Sequence, residues 1–144
     1  MQRARIIASE IALLVPKLLR GLHAGFISAP QVTTPQMVTL MRIYEKKIMR
    51  VGELSREMRV SPPTITGVID RLLRNGYCRR VRDTIDRRAV NVELTDKGKK
   101  LVGHFFSEIN QRWYKILIHL STEDREGYLR ILKKIVEVLG KEYV

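Results

Sequence analysis

The hydrophobic period of this chain changes once between Ser61 and Leu94, and no other feature narrows the fold as much. Ser61 is a helix-capping residue, and Pro62 and Pro63 follow in the first turn, where missing N–H groups cost little. Ile65, Val68, Ile69 and Leu72 then recur at i, i+3, i+4 and i+7, the spacing of a helix that buries one narrow face. Asn75-Gly76 ends the pattern with a left-handed stop signal. Beyond it Val90, Val92 and Leu94 alternate with Asn91 and Glu93, which is strand behaviour. Tyr77 to Arg82 is predicted as the partner strand, with DTIDRR as the hairpin loop.

The remaining elements read as helices. Ile7, Ile11, Leu14, Leu18 and Leu22 predict an amphipathic opening helix, with a kink or break at Pro16, and Ala24, Gly25 and SAPQV closing that unit. Thr34-Pro35 predicts a capped helix burying Met37, Leu40, Met41 and Tyr44. A short helix is predicted from Val51 to about Met58, with Arg59-Val60 as its turn. Thr95 caps a long helix striped by Leu101, Phe105, Ile109, Trp113, Ile116 and Leu120. Ser121 caps the last helix, lined by Tyr128, Leu132, Ile135 and Leu139 and closed by Gly140.

Two helices joined by a tight turn and followed by a basic-tipped hairpin form a winged helix-turn-helix. The predicted class is therefore mainly α with a small β-hairpin wing, an α+β arrangement. Charge agrees with that layout. The 144 residues hold 27 Lys+Arg against 15 Asp+Glu, a formal charge of +12. Sixteen of those basic residues and eight of the acids fall between Arg42 and Lys100, which thus holds +8 of the total. A basic block inside a folded segment suits a phosphate-bearing partner.

At about 100° per residue, the face of the Ser61–Asn75 helix opposite its buried stripe presents Pro63, Gly67, Asp70 and Arg74. Thr64 and Arg71 lie on one shoulder and Thr66 on the other. Short hydroxyls suit base edges and phosphates, and arginines suit guanine and phosphate. Ser61 adds the unpaired backbone donors of a helix N-terminus.

The run VGELSREMRVSPPTITGVIDRLLRNGYCRRVRDTIDRRAVNVELTDKGKKL resembles the signature region of the MarR-type transcriptional regulators, and TPQM resembles that family's first winged-domain helix start. The most specific pieces are VSPPTITGVIDRL, DTIDRR and VNVELTDKGK. The resemblance implies a homodimer with dimerisation helices at 1–30 and 101–144 around a DNA-binding domain at 34–100. It implies a cytoplasmic repressor of double-stranded DNA at a pseudo-palindromic operator, released by a small-molecule effector. It also implies that Arg87 enters the minor groove, and that Asp83, Asp86 and Arg88 hold the wing by charge pairing, with Arg88 also meeting phosphate. Arg71 would contact backbone or base. Gly67 stands where many relatives carry a larger polar or basic residue, so a base contact is missing or the helix approaches DNA more closely.

Other readings are excluded or set aside. Catalysis has no nucleophile–base pair, Gly-rich phosphate loop or carboxylate pair behind it, so no enzyme and no cofactor are expected. The single cysteine, Cys78, permits no disulfide within the chain, and it reads as a small hydrophobe rather than a redox sensor. His23, His104 and His119 lack metal-ligand spacing. No apolar run nears the ~18–20 residues of a membrane span, so no membrane partner is expected. An architectural protein that coats DNA without a defined site is the alternative to a sequence-specific regulator.

Overall fold

Two short-range caps start helices in the central segment, and a glycine ends one of them. In the computed structural model, which describes residues 2–23, 32–83, 86 and 89–142, Thr33 caps α2 (Thr34–Lys46), and its N–H donates to Gln36 Oε1 at 2.8 Å. The cap thus lies one residue before the predicted Thr34, and Pro35 falls at the second helical position. α3 (Val51–Glu57) and α4 (Pro62–Arg74) follow, and the Ser61 hydroxyl accepts from Thr64 N–H as α4 begins. Gly76, at φ +73°, supplies the left-handed stop that the Asn75-Gly76 pair predicted.

The hairpin is β2 (Cys78–Arg82) against β3 (Val90–Leu94), antiparallel, with Cys78 opposite Leu94 and Arg82 opposite Val90. A third strand escaped the sequence reading. β1 (Ile48–Arg50) pairs with the other edge of β3, placing Met49 opposite Val92 and Arg50 opposite Asn91. The sheet order is therefore β1-β3-β2. Three residues carry no legible alternation; β1 is a strand because β3 offers it an edge.

The core gathers Leu40, Ile43, Leu54, Ile65, Leu72 and Val92, all fully buried. On α2 the buried residue is Ile43 rather than the predicted Tyr44, which is 45% exposed and lies 6.0 Å, centroid to centroid, from Phe106. A helix one residue out of phase turns by about 100°, enough to exchange such neighbours.

α1 (Gln2–His23) runs unbroken through Pro16, so the predicted break is absent. Proline removes one backbone bond, and the remaining bonds of a 22-residue helix carry it past that position. Its stripe, Ile7, Ile11, Leu14 and Leu18, is exposed in the single chain. The segment 24–31, predicted to close this unit, lies outside the described residues.

Contacts divide the chain into two compact units, Met1–Phe106 and Ser107–Val144. α5 (Asp96–Leu117) starts in the first, where Thr95 Oγ1 accepts from Gly98 N–H at 3.1 Å, as its predicted cap should. Within the second unit Ser121 caps α6 (Thr122–Glu142) by accepting from Asp124 N–H at 3.1 Å. Arg125 donates to the Leu117 and Ile118 carbonyls at 2.7 and 3.2 Å, satisfying the end of α5. Trp113 and Tyr128 face each other at 5.3 Å beside a groove of about 370 Å³ lined by Leu117, Leu129 and Leu132. Two predicted details differ: Leu120 lies beyond α5, and α6 continues through Gly140, because an exposed glycine only weakens a helix unless it turns left-handed.

Candidate nucleic-acid interface

α4 buries Ile65, Ile69 and Leu72 and turns its opposite side to solvent. Ser61, Pro63, Thr64, Thr66, Gly67, Arg71 and Arg74 are all exposed, so the structure brings them together on one surface. The hydroxyls are held locally. Ser61 Oγ and Thr64 Oγ1 share a hydrogen bond of 2.7 Å, and Thr66 Oγ1 donates to the Pro62 carbonyl at 2.8 Å. Arg71 and Arg74 have no carboxylate within salt-bridge distance among the described residues, which leaves two cations open to an anion. A β-carbon placed on Gly67 would meet nothing within 4 Å, so this glycine is not required by packing.

Asp70 departs from the rest of the face. Its carboxylate, half exposed, accepts from Arg80 of β2 at 3.2 Å, tying the helix to the wing's first strand. On the outer side of the sheet Arg79 pairs with Glu93, its direct cross-strand neighbour.

Beyond Arg82 the chain enters the loop. Asp83 Oδ1 accepts from Asp86 N–H at 3.0 Å, and Asp83 Oδ2 accepts from Arg50 Nη2 at 2.7 Å and Asn91 Nδ2 at 3.3 Å. Arg50 was missed by the sequence reading. One signal could have found it: a basic residue at the N-cap of a helix, where a short polar side chain is preferred. Arg87 and Arg88 lie outside the described residues.

Cys78 is 3% exposed at the start of β2, and burial pushes its thiol from 9.0 up to about 12. Such a thiol holds its proton and packs as an apolar group. No three His, Cys, Asp or Glu cluster to hold a metal, and no helix is long and apolar enough to cross a membrane, among the described residues.

The geometry is a helix-turn-helix with a basic, uncovered second helix beside a two-stranded wing, and known proteins share it. The MarR family profile matches residues 32–90. An uncharacterized HTH-type transcriptional regulator of Bacillus subtilis, YfiV, is 30% identical over 139 residues, covering 92% of this chain and 87% of the relative. A MarR family protein from Bacillus stearothermophilus superposes with a TM-score of 0.85 at 25% identity, over 97% of this chain and 98% of that one. FabT of Streptococcus pneumoniae, solved in complex with DNA, shares the fold with a TM-score of 0.79 at 22% identity, over 96% and 98% of the two chains. The family and its curated members are transcriptional regulators rather than enzymes. The chain belongs to the MarR family of helix-turn-helix transcriptional regulators.

Proposed function

We propose that this regulator acts in the cytoplasm as a homodimer that binds a pseudo-palindromic operator in double-stranded DNA and represses by occupying it. The observation that carries the reading is the solvent face of α4, where Ser61, Thr64, Thr66, Arg71 and Arg74 are exposed; the helix N-terminus adds no free donors from its first turn, because Pro62 and Pro63 lack an N–H and Ser61 already holds those of Thr64 and Ile65. A helix fits the major groove, short hydroxyls suit base edges or phosphate, and arginines suit guanine edges or phosphate. In this reading Ser61, Pro63 and Thr64 sit at the backbone, while Thr66, Gly67, Arg71 and Arg74 face bases. Arg87 and Arg88 reach the minor groove and phosphate. Residues 34–100 form the DNA-binding domain.

Two faces support the dimer. Ile7, Ile11, Leu14 and Leu18 of α1 are 49, 53, 58 and 44% exposed, and Ile135 and Leu139 of α6 are 48 and 45% exposed. Contiguous apolar surface of this kind calls for a partner, and 1–30 and 101–144 are assigned to it. The family resemblance supports release by a small-molecule effector.

Selection of binding sites from random duplexes, on protein of measured oligomeric state, tests the reading. The expected product is a palindrome whose half-site centres lie roughly 34 Å apart. Affinity should fall with salt by several log units per log unit if about 6–10 phosphates are contacted. A specificity ratio below about 10³ rejects this reading for an architectural one.

A further inference from the structure

We infer that Arg50 is a positioning residue for the wing, holding the loop between β2 and β3 in the orientation in which it meets DNA; this rests on the DNA-binding reading above. Arg50 occupies the N-cap of α3 and makes no side-chain cap. Short polar residues hold that position because they satisfy a free N–H of the first turn, so the helix forgoes a cap. The guanidinium reaches instead across 33 positions of sequence to Asp83, at 2.7 Å.

Asp83 is a junction. Its side chain is only 8% exposed, and its carboxylate takes hydrogen bonds from Arg50 of β1, Asn91 of β3 and the backbone of Asp86. Arg50 and Asn91 are direct cross-strand neighbours, so all three strands are tied at one end of the sheet, and the backbone of Asp86 is held at the same carboxylate. Asn91 supplies a second sign that this junction outranks local stability. Its Nδ2 serves Asp83, and its Oδ1 stays buried without a hydrogen-bond partner among the described residues. An unpartnered buried carbonyl is costly, and such groups are retained where they serve another purpose. A carboxylate in this place cannot stay charged and nearly buried without a cation beside it. Among the described residues Arg50 is the cation that pairs with it, and Arg50 stands on a strand fixed by the core through Met49.

The test is the variant R50S, which removes the anchor and returns a capping hydroxyl to α3. The expected result is a folded protein of lower melting temperature, since the new cap offsets only part of the cost of leaving Asp83 unpaired, about tenfold weaker binding to the selected duplex, a salt slope smaller by about 1, and unchanged major-groove base preference. D83N should weaken binding similarly, and R50S with D83N should add little to either. Wild-type affinity and salt slope in R50S would overturn the inference while leaving the DNA-binding reading intact. Additive losses in the double variant would also overturn it, since they would mean that Arg50 touches DNA on its own account. If wild-type protein selects no duplex at all, the reading beneath it fails instead.

Discussion

The carbonyl oxygen of Tyr77 occupies the place where Gly98 would carry a side chain: a β-carbon there would lie 2.1 Å from that oxygen and 3.1 Å from the carbonyl carbon. The same oxygen accepts from Thr95 N–H at 3.0 Å, and Thr95 Oγ1 donates to the Gly76 carbonyl at 2.6 Å. The first turn of α5 thus docks on the start of β2 through contacts that only glycine permits. G98A should lower stability by about 2–3 kcal/mol, because backbone must move on one side or the other. Urea denaturation checks it; an unchanged midpoint would show that the approach relaxes freely.

Gly67 predicts the opposite sign. Nothing lies within 4 Å of its missing β-carbon, and its φ is helical, so G67A should stabilise the fold by about 0.5–1 kcal/mol. The same methyl stands on the face assigned to the groove. A variant that melts higher yet binds its operator more weakly is expected, and equal affinity would reject close approach of α4 to the bases.

The Asp70–Arg80 pair, with side chains 45% and 63% exposed, is a surface pair and contributes little to stability. Its consequence lies in charge, since it neutralises the acid on the helix proposed to face DNA. R80A should change stability by less than about 0.5 kcal/mol and weaken DNA binding. Adding D70N to R80A should restore part of the lost affinity, measured by salt-titrated binding. No recovery would mean that Asp70 does not oppose the phosphates.

Cys78 makes a pH prediction. Its folded thiol is pushed up to about 12, so the unfolded chain releases this proton first, and ionisation favours unfolding. The contribution is intact below pH 9.0 and is lost as pH rises toward about 12. Between about pH 8 and about pH 10.5 the wild type should lose more stability than C78V, read from urea midpoints. Native protein should also react slowly with thiol reagents, and rapid labelling at neutral pH would contradict the buried site.

Most of the local signals were legible, although the cap of α2 is Thr33 rather than Thr34 and Pro16 does not break α1. Ser61, Thr95 and Ser121 were predicted as caps and accept the expected backbone bonds, and Gly76 takes its left-handed turn, because capping and φ > 0 are settled within four residues. The alternation of Val92 and Leu94 and the stripe of Ile65, Ile69 and Leu72 were equally readable, since burial follows period.

What depends on a distant partner was not. Strand β1 exists through the edge of β3, about forty residues away, and three residues of β1 hold no period to read. Arg50 looks locally like a poor cap and acquires its meaning only when folding brings Asp83 to 2.7 Å. The outward side of α4 could be drawn on a helical wheel, but that Asp70 is neutralised by Arg80 while Arg71 and Arg74 stay unpaired among the described residues could not. The sequence by itself determined the helices, the two strands of the hairpin, the caps at Ser61, Thr95 and Ser121 and the family resemblance, because those rest on interactions within a few residues; β1 and the far ends of α5 and α6 were not among them. Only the tertiary structure decided which charges meet, because an ion pair depends on distances that chain order does not contain.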